Sequence, residues 1–481
     1  KVHRTMSTNT TTASNEFAQD FLNFLDESCS AHHAVEASSK RLLAAGFSKI
    51  SERDEWFQSA SNISKLERGQ KYFFTRNGTT IIAFSVGKQF PLSGGAYTIL
   101  GAHTDSPCLK IKPVTCLNKQ DALMLNTTPY GGGLWHTWFD RDLGLAGRVI
   151  LRSADGSLRS ELFRIDRPIA RIPNLAIHLT SGTERDSFAP NLQEHAKALL
   201  SMDPTFINNK DLNGSSDVGS RIHPALLALV ASSLPESARG DTIVDVEAQL
   251  IDVQKPCLGG AAGEFLFSGR LDNLCSAYQC LRALIDAADD PASQSSVKMS
   301  MLFDHEEVGS ASCQGAGSSL LMDTLTRINR CLSDQLRGDS LMCSLRNSFV
   351  VSADMAHGLH PNYSSKHDST MAPHINQGLV IKHNANQRYA TNAVSASLFR
   401  QVAKLMGIPM QEFSVRSDSG CGSTIGPIIA TLSGILTVDC GTPQFSMHSI
   451  REMMGTQDAY TGYVHMKGVL IHHPSIAINI D

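Results

Sequence analysis

The chain has 481 residues, 42% of them hydrophobic and 18% charged, a globular composition that excludes a disordered polypeptide. At roughly 100 to 200 residues per domain, this length holds two domains or one elaborated α/β domain. Lys plus Arg number 42 against 46 for Asp plus Glu, a net charge of -4 without the basic excess that a nucleic-acid partner requires.

Five residues precede Met6, which reads as an initiator, and no apolar run near the start marks a secretory leader. Eleven cysteines without regular spacing, in a chain too large to need staples, point to reduced thiols and a cytoplasmic protein. The longest apolar runs, 224–234 and 425–438, are broken by Ser, Gly, Thr or Pro and fall short of the ~20 residues of a membrane span. No membrane partner is expected.

Ser14 is expected to cap a first amphipathic helix with Phe17, Phe21, Leu22 and Leu25 at helical spacing. Apolar, β-branched runs predict buried strands at 79–86 and 97–102. From about Ile111 to Gln254 the pattern changes to short alternating segments, with the cluster Gly131 to Gly133 and a polar passage, Asn208 to Ser220, that lacks periodicity and predicts a loop. This stretch reads as an inserted, β-leaning domain. Further strands are predicted at 297–303, 349–353, 379–381 and 435–438. They alternate with helical patterns carrying Leu274, Tyr278, Leu281 and Ile285, and then Ala393, Leu398, Val402 and Leu405 closing at Gly407. The predicted fold class is α/β: a parallel-rich mixed sheet with helices on both faces, in two parts of one α/β domain, 14–110 and 255–481, around a β-rich insert at 111–254.

Chemistry-bearing residues follow the predicted strands, where α/β folds bind ligands. In AYTILGAHTDSP a strand runs into His103, and Asp105 lies two residues on, on the same side of an extended segment, where it can fix the imidazole tautomer. SGRLDNL puts Asp272 at a helix start, where an N-cap is the plain alternative. MSMLFDHEEVGS carries a buried strand into Asp304, His305, Glu306 and Glu307, side chains that are costly to desolvate together without a cation. NSFVVSADMAHGLH ends a strand at Asp354 and adds His357 and His360, and ILTVDCGTPQFSMHS leads to His448. His103, Asp272, Glu307, Asp354 and His448 supply two imidazoles and three carboxylates, a donor set for two Zn²⁺ or similar ions sharing a carboxylate. By spacing alone, scattered strand-end polar residues fit equally.

At these residues the chain closely resembles the aspartyl aminopeptidases, the dinuclear zinc metallopeptidases that include vacuolar aminopeptidase I. GAHTDSPCLKIKP, SGRLDN, DHEEVGS, SADMAHGLHPNY, QRYATNAVS, CGSTIGP and MHSIREM occur in the family's order. The resemblance implies removal of an N-terminal Asp or Glu from peptides by two zinc ions per subunit, with Mn²⁺ or Co²⁺ as substitutes. It implies Asp272 as the bridging ligand, His103 and Asp354 on one zinc, Glu307 and His448 on the other, Glu306 as general base and Asp105 orienting His103. It further implies Lys382 as the cation for the acidic side chain, His178 reaching a neighbouring subunit's site, and His357 and His360 near the substrate. The insert becomes a dimerisation domain within a tetrahedral homododecamer, and the Asp272–Asn273 peptide is expected to be cis. Asn174 stands where some relatives carry His. A neutral aminopeptidase or a deacylase of related architecture, and a catalytically idle assembly protein, are the rival functions.

Overall fold

The computed structural model describes residues 8–58, 63–208, 221–238, 240–334 and 338–476. The chain divides into two compact units, one formed by Lys1–Asp105, Pro256–Met447 and Glu452–Asp481, the other by Ser106–Lys255 and His448–Arg451.

The first unit is built on a nine-stranded mixed sheet. Its centre is parallel: Val297–Phe303 pairs with Tyr97–His103, which pairs with Phe349–Ala353, which pairs with Leu436–Gly441. Antiparallel partners flank this centre, with Thr80–Val86 on one side and Leu379–His383 on the other. The central strands are buried on both faces, which explains why they read as near-continuous apolar runs. Leu100, Leu302, Phe349 and Val351 face one core, shared with the helices Leu271–Ala287, Ala393–Met406 and Thr456–His472. Ile99, Met299, Met301, Phe303 and Val350 face the other, shared with Leu320–Leu332 and Ile425–Ser433. Helices on both faces of a parallel-rich sheet are the expected α/β class.

The first helix starts at Thr8, not at Ser14. The Ser14 hydroxyl lies inside it and donates to Gln457 Oε1 at 3.4 Å, so Ser14 is no cap. Threonines at positions 10 to 12 disguised the first turns, because β-branched residues are weak helix formers.

The second unit holds a six-stranded antiparallel sheet in the order Leu158–Ala170, Leu143–Arg152, Thr242–Asp252, Cys108–Lys119, Ala122–Tyr130, Ala198–Ser201. Leu145, Val149 and Leu250 pack with Leu226 and Val230 of the helix Pro224–Ser232. The segment expected at 111–254 lies within this unit, whose edges fall at Ser106 and Lys255. Positions 209–220 of the polar passage lie outside the described residues. Among the described residues no helix is long and apolar enough to cross a membrane.

Candidate metal centre

Parallel pairing brings strand ends together. Phe303 stands opposite His103, and Ser352 opposite Gly101, so Asp304 and Asp354 emerge beside His103 at one end of the sheet. Beyond Asp304 the chain turns sharply: His305 takes a left-handed φ of 64°, a short 3₁₀ turn spans Glu306–Val308, and Gly309 closes it at φ 95°. Asp272 comes from the first turn of Leu271–Ala287, after a left-handed Arg270. The Asp272–Asn273 peptide is cis, as expected. Asn273 Nδ2 donates to the Ala353 carbonyl at 2.8 Å, which fixes this helix start beside the strand end that precedes Asp354.

The side chains converge on one nitrogen. His103 Nε2 lies 3.4 Å from Asp272 Oδ1, 3.5 Å from Asp354 Oδ1 and 3.8 Å from Glu306 Oε2. His103, Asp272 and Glu307 each offer a ligand atom, all within 4.8 Å of one another. His103 Nδ1 donates to the Asp105 backbone carbonyl at 3.0 Å, which leaves the Nε2 lone pair facing the carboxylates. His103 Nε2 and Asp354 Oδ1 are buried and make no hydrogen bond.

This geometry fits a cation. Burial works against charge on the His103 imidazole, yet the carboxylates of Asp105, Asp272 and Asp354 outweigh it and hold the pKa well above the ordinary value. A field that draws a proton onto Nε2 also draws a metal ion to the same place, and the imidazole–carboxylate set is that of catalytic zinc. Burial, opposed by His103 and reinforced by Asp354, Asp272 and Asp105, pushes the Glu306 carboxyl up to about 8.

Asp105 does more than expected of an imidazole-orienting carboxylate. Its Oδ1 stands 3.4 Å from His103 Nδ1, farther than its own carbonyl, whereas its two carboxylate oxygens accept the Glu306 and Glu307 peptide N–H groups at 3.2 and 3.1 Å. Sequence reasoning missed Glu452, buried at 2% exposure, whose Oε2 accepts the Asp272 N–H at 3.1 Å. It sits in the quoted MHSIREM block, but nothing in its spacing marks a contact with a residue 180 positions away.

Lys382 lies on an inner strand, Leu379–His383, which runs between Leu436–Gly441 and Met410–Ser414. Its Nζ is buried, 3.6 Å from Asp354 Oδ2 and 5.4 Å from the centre of the Tyr389 ring. His357 packs edge-on against Phe413, and the His360 ring lies 4.9 Å from Tyr363 and 5.4 Å from Phe445. In the second unit His448 Nδ1 donates to the Gly132 carbonyl at 2.6 Å, which directs its lone pair to Nε2. His178 lies in an exposed 3₁₀ turn, Ile177–Leu179. Asn174 binds Asp140 through both its backbone N–H and its side-chain amide, at 3.1 and 2.7 Å.

Residues 24–469 match the family described as Aminopeptidase I zinc metalloprotease (M18). The chain belongs to the M18 aminopeptidases. A probable aspartyl aminopeptidase of Ricinus communis is 47% identical, over 96% of this chain and 97% of that protein. An aspartyl aminopeptidase of Aspergillus oryzae is 42% identical, with 92% and 93% covered. Among solved structures, the cryo-EM structure of an Ape4 and Nbr1 complex superposes with a TM-score of 0.90 at 40% identity, covering 99% of this chain and 90% of that one. The Saccharomyces cerevisiae mApe1 dodecamer gives 0.80 at 28% identity, covering 95% and 97%. This M18 enzyme is therefore a metal-dependent aminopeptidase, and the family description names the metal as zinc.

Proposed function

We propose that the aminopeptidase removes N-terminal Asp or Glu from peptides at a dinuclear zinc site. The observation that carries this is the convergence of Asp272, Asp354 and Glu306 on His103 Nε2, with Glu307 in the same ligand group. Asp272 would serve both ions, His103 and Asp354 would hold one, and Glu307 with His448 would hold the other, His448 entering on the motif match alone. Held by these residues, zinc would supply a lowered pKa for a water molecule and polarisation of the scissile carbonyl. Glu306 accepts the proton of the attacking water and returns it to the leaving amine. Consecutive residues in the turn aim Glu307 and Glu306 differently, so one binds metal while its neighbour handles the proton.

The acidic preference rests on Lys382, a buried ammonium beside the ligand set and suited to a carboxylate. His357 and His360 flank the substrate. The named relatives are aspartyl aminopeptidases, which supports the same preference here. Assembly into a tetrahedral dodecamer of dimers follows from the resemblance and the mApe1 dodecamer. Around His178, Leu175, Ile177 and Leu179 are 57%, 62% and 71% exposed, apolar surface of the kind that a second subunit covers. In this assembly His178 reaches a neighbour's site, and the cysteine pattern supports a cytoplasmic location. Incubating the zinc-loaded enzyme with matched peptides that begin with Asp or Leu tests the activity: free Asp must appear faster than free Leu, and equal release overturns the acidic preference.

A further inference from the structure

Glu306 and Glu307 are adjacent, yet the proposed function gives them different tasks, so the turn that carries them has to be fixed more tightly than an exposed loop. Left-handed His305 and Gly309 bracket it, and its first two peptide N–H groups, left without helical partners, point the same way. Two successive N–H groups in such a turn form a small concave site for an anion. The anion here belongs to the protein. Asp105 Oδ1 accepts from Glu306 N–H at 3.2 Å and Oδ2 from Glu307 N–H at 3.1 Å, and Asp105 is only 4% exposed. The backbone carbonyl of Asp105, not its carboxylate, makes the closer contact with His103 Nδ1, at 3.0 against 3.4 Å. Asp105 thus works through two groups: its main-chain carbonyl accepts from His103 Nδ1, and its carboxylate, 3.4 Å from that nitrogen, accepts from both glutamate N–H groups.

We propose that Asp105 is a positioning residue whose carboxylate fixes the Glu306–Glu307 turn through both peptide N–H groups, setting the general base and the neighbouring metal ligand from one anchor. This rests on the roles given above to Glu306 and Glu307. Asp105→Asn keeps the size and one acceptor oxygen but turns an NH₂ group against the second N–H. Asp105→Ala removes both acceptors, while either variant keeps the main-chain carbonyl for His103.

Hydrogen exchange on the metal-free protein tests the anchor without reference to activity. In the unsubstituted protein the Glu306 and Glu307 amides should exchange at least about tenfold more slowly than those of an open turn. In Asp105→Asn that protection should fall while the strand Tyr97–His103 keeps its own. Unprotected Glu306 and Glu307 amides in the unsubstituted protein overturn the proposal whatever the variants do, and so does protection unchanged in Asp105→Asn. In the zinc-loaded enzyme, Asp105→Asn should lower kcat by up to about 100-fold with KM little changed, because a base displaced by an ångström costs on that order. Recovery of full kcat on raising the zinc concentration contradicts the proposal, since the variant would then be impaired in metal affinity alone and Glu306 would not be placed by this anchor. Lack of turnover in the unsubstituted enzyme refutes the catalytic reading and leaves the exchange result standing.

Discussion

The buried Lys382 Nζ stands 3.6 Å from Asp354 Oδ2, so the cation proposed to receive an acidic substrate side chain already neighbours a carboxylate of the metal centre. In the proposed role, an arriving substrate carboxylate would meet this buried side chain, from which a neutral side chain would gain nothing. Lys382→Ala should lower kcat/KM for Asp and Glu amides about ten- to a hundredfold, the worth of a charge-assisted contact of about 1.5 to 3 kcal/mol. Ala and Leu amides should change little. Zinc content should hold, because removing a cation beside Asp354 does not weaken that carboxylate for a metal ion. Equal losses on acidic and neutral substrates would make Lys382 a structural residue.

Glu306→Gln should keep fold and zinc but lose about 10²- to 10⁴-fold in turnover, the usual contribution of a positioned proton acceptor. Asp272→Ala should lose zinc as well, since the carboxylate proposed to bridge would serve both ions. Metal analysis beside steady-state rates checks both, and substantial activity in Glu306→Gln removes it from the role of base.

Glu452 anchors Asp272 as Asp105 anchors the glutamates, by accepting a peptide N–H. Glu452→Leu leaves the Asp272 N–H buried without this acceptor, at a cost of about 1 to 3 kcal/mol. The variant should melt at a lower temperature in its metal-free form, and Glu452→Gln, which retains a carbonyl oxygen, should recover most of the loss. Melting curves of the three proteins check this, and an unshifted Leu variant refutes the anchor.

These anchors mark the boundary of what the sequence makes legible. The strands at 297–303 and 349–353 are found in place, and 97–102 extends by one residue to His103, because strands buried on both faces carry uninterrupted apolar runs. His103, Asp272, Glu307 and Asp354 stood out as polar residues in apolar settings, which is where binding chemistry accumulates. Asp105 was legible as a participant but not in its task, because hydrogen bonds to the backbone of residues about 200 positions away leave no periodic trace. Glu452 was silent for the same reason. The start of the first helix is not legible at Thr8, because the threonines that follow have weak helix propensity.

Two buried imidazoles make the fold sensitive to acid. Burial pushes His473 down to about 4, and burial, partly offset by the contact with the Phe399 carbonyl, does the same for His465. Unfolded, each titrates near 6.5. The unfolded chain therefore binds more protons between those values, and the stability present above about pH 6.5 is lost as pH falls toward 4. Asp458 opposes this: burial raises its carboxyl to about 7 against the Gly378 and Asn376 N–H groups, so its protonation favours the fold as pH falls. His473→Phe keeps an aromatic ring against Phe349 and removes the titration. Denaturant unfolding at pH 7.5 and 4.5 should show the unsubstituted protein losing on the order of 3 kcal/mol more than the variant. Equal losses would show that His473 is not held neutral.

The central claim, a two-zinc site selective for acidic N-termini, is tested most directly by titrating zinc into the metal-free enzyme while following hydrolysis of Asp, Glu, Ala and Leu amides. Activity should rise to its plateau at two equivalents per chain, with Asp and Glu amides cleaved at least about tenfold faster than Ala and Leu at every point. A plateau at one equivalent contradicts the dinuclear site, and equal rates across the four amides contradict the acidic specificity.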